Sequence, residues 1–83
     1  MERIVRGFSN HRRIQILSLL DTEPELSVKE IAEKVKTNFK TSSEHIRRLV
    51  ISGLVMKRSD RVSIRHKLTE RGKSILKFLR TLE

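Results

Sequence analysis

The sequence predicts a mainly α domain with a small β-hairpin (α+β), arranged as a three-helix core followed by the hairpin and a last helix. Three observations carry that prediction. Apolar residues recur at spacings of three and four in four separate segments, the pattern of a helix with one buried face. A fifth segment, Val62 to Leu68, alternates apolar with polar residues, which is the period of a strand. Residues that start or stop helices stand at the joints: Ser9, Ser27, Asn38, Gly53 and Thr69.

The first helix is expected from a cap at Ser9 to about Leu20 or Asp21, with Ile14, Ile16, Leu17 and Leu20 as its buried stripe and Leu19 beside it. Met1 to Gly7 reads as either a helical turn or a frayed arm. Asp21 to Glu25 reads as a loop, because Pro24 cannot continue a helix and biases Glu23 away from helical dihedrals. Ser27 and Glu30 form a capping box, each side chain satisfying an orphan amide of the other's end. The helix it opens carries Val28, Ile31, Ala32 and Val35 inward and ends near Lys36. Thr37-Asn38 is a short break, and Asn38 caps the third helix, residues 39–52, which Gly53 stops. Phe39, Ile46, Leu49 and Val50 fall on one side of it, while Lys40, Thr41, Glu44, Arg47 and Arg48 point away; Ile51 fits neither face.

The hairpin spans 54–68. Leu54 to Arg58 is the first strand and Ser59-Asp60 the turn. The second strand puts Val62, Ile64, His66 and Leu68 on one face and Ser63, Arg65 and Lys67 on the other. Thr69 caps the last helix, Glu70 to about Leu82. Its stripe centres on Ile75, with Phe78, Leu79 and Leu82 close by and Leu76 off centre, and Gly72 in its first turn costs helix propensity. Two helices joined by a tight break form a helix-turn-helix, and a hairpin directly after the second makes it a winged one.

Composition narrows the function. Residues 1–83 are enough for one small domain, whose thin core gains from association with a second copy. No apolar run reaches the length of a membrane span and none has the pattern of a signal peptide. Cysteine is absent, which removes disulfides, thiolate metal sites and cysteine nucleophiles and fits a reducing, cytoplasmic setting. Trp and Tyr are absent too, so a base-stacking surface for single strands is not expected. Lys and Arg number 19 against 10 acids, a net charge of +9. The charge is segregated: Asp21 to Glu33 carries five acids and one base, whereas Lys36 to Lys73 carries eleven bases and three acids. A polyanion is therefore expected to meet the second half of the chain.

The stretches RIQILSLL, LSVKEIAEKV, KTSSEHIRRLVISGLV and LTERG, in this order between Phe8 and Leu76, resemble those of ArsR/MarR-like winged helix-turn-helix transcriptional regulators. The resemblance implies a regulator, read here as a repressor, whose third helix enters the major groove of double-stranded DNA while the wing reaches the backbone or minor groove. Lys40, Ser43, Glu44 and Arg47 are the candidates for base edges, and Thr41 and Arg48 for phosphate. Glu44 would accept from a cytosine amino group or else orient Arg47 or Arg48. In the wing, Lys57, Arg58, Arg61, Arg65 and Lys67 are candidates for phosphate, although basic residues also guard exposed strand edges. Relatives dimerise through terminal helices, which makes Ile75, Phe78, Leu79 and Leu82 a candidate homodimer interface, with Ile4, Val5 and Phe8 able to join it; the alternative is that all of them serve the chain's own core.

The family's metal sensing is not carried over. His11, His45 and His66 have no ligand spacing on one helix, so neither a metal nor another cofactor is expected. Catalysis is not expected either: the glycines Gly7, Gly53 and Gly72 are scattered, and Ser42, Ser43 and His45 share one helix without a third positioned group. The competing reading is a winged-helix interaction module that docks an acidic protein.

Overall fold

A computed structural model gives the fold and describes residues 2–59 and 61–82, with side chains from residue 11 onward. The order is α1 (Glu2–Thr22), α2 (Val28–Lys34), α3 (Phe39–Ile51), β1 (Val55–Ser59), β2 (Ile64–Leu68) and α4 (Glu70–Thr81). Among the described residues no helix is long and apolar enough to cross a membrane.

Helix α1 starts at Glu2, so Ser9 lies inside it rather than capping it. A cap residue permits a helix start without enforcing one, and Met1 to Asn10 contains no proline to stop the helix; Gly7 and Ser9 merely lower propensity. The side chains of Ile4, Val5 and Phe8 lie outside the described residues, as does Asp60 of the predicted turn. Ile16, Leu17 and Leu20 are buried as the stripe requires, with Ile14 and Leu19 packed partly against them.

The Ser27 capping box is present in full: the Glu30 amide donates to the Ser27 hydroxyl at 3.2 Å and the Ser27 amide donates to the Glu30 carboxylate at 2.9 Å. The Ser27 amide first, and the Ser27 side chain second, hold the Glu30 carboxyl below its ordinary range. Helix α2 ends at Lys34, short of the expected Lys36, because Val35 takes the C-cap and Lys36 turns into the left-handed region at φ 56°. The chain then passes to the Asn38 cap, whose side chain accepts from the Thr41 amide at 2.7 Å. Arg12 reaches from α1 to donate to the Val35 carbonyl at 2.9 Å, tying the end of α2 to the first helix.

In α3, Ile46 and Leu49 are buried, but Phe39 is 59% exposed. It begins the helix, one turn beyond Ser42, the first buried residue of α3, so its correct angular position has no core opposite it. Ser42 takes the inward place that the apolar pattern passed over. Ile51 is 71% exposed. The helix closes at Ser52 and Gly53, the latter at φ 78°.

Strands β1 and β2 pair antiparallel, with Val55 opposite Leu68 and Lys57 opposite His66. The second strand begins at Ile64 rather than Val62, which is 91% exposed beyond the ladder. A pairing not foreseen joins Leu26 to His66, adding an edge from the α1–α2 loop to the hairpin. The His66 amide donates to the Leu26 carbonyl and the Glu25 amide to the His66 carbonyl, both at 2.9 Å.

Helix α4 is capped by Thr69, whose hydroxyl accepts from the Gly72 amide and donates to the Gly53 carbonyl at 2.6 Å. Its anchor is Leu76, 1% exposed, although the sequence placed that residue off the stripe centre. The reason is Gly72: the bare backbone lies against the Leu54 carbonyl, and this rotates the Gly72–Leu76 edge inward. Ile75, Phe78 and Leu82 turn outward, 36%, 59% and 67% exposed, and Leu79 is half-buried.

Candidate nucleic-acid interface

Two elements build the candidate surface, the polar side of α3 and the hairpin. The buried Ile46 and Leu49 fix how α3 is rolled on the core. That roll leaves Lys40, Thr41, Glu44, Arg47 and Arg48 exposed and Ser43 half-buried at its margin. The Thr41 amide is already taken by the Asn38 cap, so Thr41 offers its hydroxyl rather than its backbone.

The hairpin register divides its bases between two faces. Lys57 pairs across from His66 on the inner face, whereas Arg58 and Arg65 face each other on the outer one, beside the Met56–Lys67 pair. Lys57 therefore comes toward α3: with Ser43, Arg47, Ile64 and His66 it lines a crevice of about 160 Å³ between helix and wing. Ser43, Arg47 and Lys57, separated in sequence, meet there on one surface.

Several of the candidate cations already carry carboxylate partners. The Glu44 carboxylate accepts from Arg47 Nη2 at 2.7 Å, Arg47 Nε at 3.2 Å and Arg48 Nε at 3.2 Å. The Arg47 bonds lead in holding Glu44 below the ordinary carboxylate range and raise Arg47 in turn. On the wing, Arg58 Nη1 donates to both Glu25 oxygens at 3.2 Å, Arg65 Nη1 donates to the Glu25 carbonyl at 2.9 Å, and Arg65 lies 3.5 Å from Glu30. Like charges directly opposite across a ladder repel, and Glu25 sits where it relieves the Arg58–Arg65 pair. Glu25 itself holds a left-handed backbone, φ 66°. The sequence marked Arg58 and Arg65 as phosphate contacts but gave no sign of Glu25, whose part depends on the unforeseen Leu26–His66 pairing. Arg61 and Lys67 are exposed along the hairpin.

The histidines separate. His66 is 2% exposed, and its Nδ1–H donates to the Leu26 carbonyl at 2.9 Å, since a carbonyl can only accept. Burial, and secondarily the charge of Lys57, push its pKa below the imidazole norm against the opposing hydrogen bond. His45 faces Arg13, Arg12 and Arg48; burial first and those charges next lower its pKa as well. Among the described residues no three His, Asp or Glu side chains converge as a metal centre needs.

Comparison with known proteins agrees with this architecture. Residues 9–56 match the family model for winged helix-turn-helix DNA-binding domains. The homodimeric winged helix-turn-helix DNA-binding domain of Mb0332 from Mycobacterium bovis, a possible ArsR-family regulator, superposes with a TM-score of 0.77 at 27% identity, covering 98% of this chain and 75% of that one. The PcaV transcriptional regulator from Streptomyces coelicolor, solved with its natural ligand, gives 0.74 at 26% identity over 78% of this chain. A MarR-family protein from Bacillus stearothermophilus gives 0.78 at 21% identity over 96% of this chain and 69% of its own, a likeness of fold. The chain spans 48% of the PcaV chain, about half its length. No curated protein sequence matches it.

Proposed function

The chain belongs to the winged helix-turn-helix DNA-binding family, and from that premise we propose that residues 1–83 form one domain that binds specific double-stranded DNA sequences as a non-catalytic, homodimeric transcriptional repressor. The observation that carries this reading is the shared surface of α3 and wing, where Ser43 and Arg47 meet Lys57 beside the exposed Lys40 and Glu44. In this reading α3 lies in the major groove, with Lys40, Ser43, Glu44 and Arg47 toward base edges and Thr41 and Arg48 toward phosphate. Lys57, Arg58, Arg61, Arg65 and Lys67 follow the backbone toward the minor groove. Support for a dimer comes from the outward Ile75, Phe78 and Leu82, three apolar side chains on one helix that a second copy would cover.

Selection of bound duplexes from a random pool at two salt concentrations tests the reading. A two-fold dimer enriches a pseudo-palindrome whose half-sites lie one helical turn apart, roughly 34 Å. A pool that stays random at both concentrations overturns it, and leaves the surface to an acidic protein.

A further inference from the structure

The centre of the exposed side of α3 carries a carboxylate. By helical position Glu44 lies roughly 160° around from the buried Ile46, between Arg47 at about 100° and Arg48 at about 200°. On a helix laid in a groove this is the point closest to the base pairs. A lone acid there faces the acceptor-rich floor of the groove and the phosphates, both of which repel it, so its presence calls for a reason beyond solubility.

The geometry of its ion pairs supplies one. Arg47 meets the carboxylate side-on, through Nε and Nη2 to the two separate oxygens. Two of its five N–H groups are thereby engaged. The three that remain include one on Nη1 and one on Nη2 pointing in parallel away from the carboxylate, the end-on fork. That fork has the spacing of O6 and N7 on the major-groove edge of guanine. Arg48, in contrast, is held by one bond from Nε, so its planar guanidinium still pivots about that bond. A fork fixed before contact loses little side-chain freedom on binding, while a swinging one suits a phosphate.

We propose that Glu44 is a positioning residue for base selection: it presents the end-on fork of Arg47 to a guanine, and its charge weakens binding to DNA that lacks this guanine. The proposal rests on the DNA-binding reading above. Its second half follows from electrostatics. With Glu44 in place the Glu44–Arg47–Arg48 group carries a single net positive charge instead of two, which lowers attraction to any phosphate backbone. Only at a guanine do the remaining Arg47 donors find paired acceptors that offset the cost of bringing a carboxylate into the groove.

The experiment repeats the random-pool selection with the whole chain and with Glu44→Ala, Glu44→Gln and Arg47→Ala, and measures affinity for the selected duplex and for a random one. Glu44 is exposed, so thermal melting should be unchanged and serves as the folding control. The proposal expects a guanine preference of about tenfold at one position per half-site in the parent chain. All three variants should lose it at that same position. Glu44→Ala should bind random duplex several-fold more tightly, whereas Arg47→Ala should bind it more weakly. Glutamine does not rescue, because one of its two terminal atoms donates and cannot accept the side-on pair. A preference retained in both Glu44 variants overturns the proposal. So does loss at a position other than the one Arg47→Ala affects, which is the result of Glu44 reading a cytosine itself, and so does weaker binding to selected and random DNA in equal measure. If the parent chain enriches nothing, the DNA-binding reading falls and this inference with it.

Discussion

A Cβ at Gly72 would collide with the Leu54 carbonyl oxygen and press on the Leu68 side chain. Helix propensity alone says that Gly72→Ala stabilises by about 1 kcal/mol; the backbone contact reverses the sign. We expect Gly72→Ala to lower stability by about 1–3 kcal/mol in a urea titration, the range of an overpacked core. His66 gives a second residue-scale prediction. Its folded pKa lies below the unfolded value, so the unfolded chain binds more protons in acid. The stability that neutral His66 contributes is complete above the ordinary imidazole pKa of about 6.5 and is lost as pH falls from there through the lower folded value. His45 acts in the same direction. Urea midpoints measured from pH 8 to pH 5 should fall, and His66→Gln should flatten the fall; an unchanged slope would mean that His66 does not titrate in this way. These residues also mark what the sequence leaves unread. The alternation in β2 placed His66 on the inner face correctly, but its Leu26 partner lies 40 positions away, a separation no local pattern spans. Ser42 was passed over because it is polar, although it occupies the inward side of α3 at 0% exposure.

At the scale of elements, helices with strong caps were legible almost to the residue. Ser27, Asn38 and Thr69 each begin the helix they were expected to begin, because capping is a local bond between residues three apart. The other ends moved: α1 ran through Ser9, which had been expected to cap it, α2 stopped early, and β2 lost Val62 and Ser63. The roll of α4 could not be read from apolar spacing, since Ile75, Leu76, Phe78, Leu79 and Leu82 cover roughly 160° of its circumference, too broad an arc to fix one inward residue, and the contact at Gly72 decides which of them turns inward. For the candidate site, the exposed side of α3 was legible from periodicity, while the restraint of the wing by Glu25 was not, because it depends on loop geometry. That restraint is testable. Glu25→Gln removes the charge that Arg58 grips and leaves the backbone bonds in place. The pair is exposed, so stability should change by less than about 1 kcal/mol. Duplex affinity should rise, and the slope of its logarithm against log salt should steepen by about one; an unchanged slope would mean that Arg58 does not approach phosphate.

For the whole molecule, the candidate DNA contacts and the candidate dimer contacts sit on different elements. The former are on α3 and the hairpin, whereas the exposed Ile75, Phe78 and Leu82 lie on α4 among Arg71, Lys73, Lys77 and Arg80. This separation lets one surface meet DNA while another meets a second copy. Phe78→Asp should convert a dimer to a monomer in sedimentation equilibrium and leave the far-ultraviolet dichroism intact, because Phe78 is 59% exposed in the single chain. Affinity for a palindromic duplex should drop with it, as two half-sites no longer bind together. If four to six cations meet phosphate across the dimer, the salt slope of the parent chain should be about −4 to −5.

The most direct measurement is a titration of the isotope-labelled chain with duplex DNA from the selected pool, followed by amide and arginine side-chain resonances. Shifts concentrated at Lys40 to Arg48 and at Lys57 to Lys67, with Ile75 to Leu82 unmoved at constant oligomeric state, are the predicted result. Shifts that avoid α3, or a chain whose spectrum does not respond to duplex at low salt, would contradict the account.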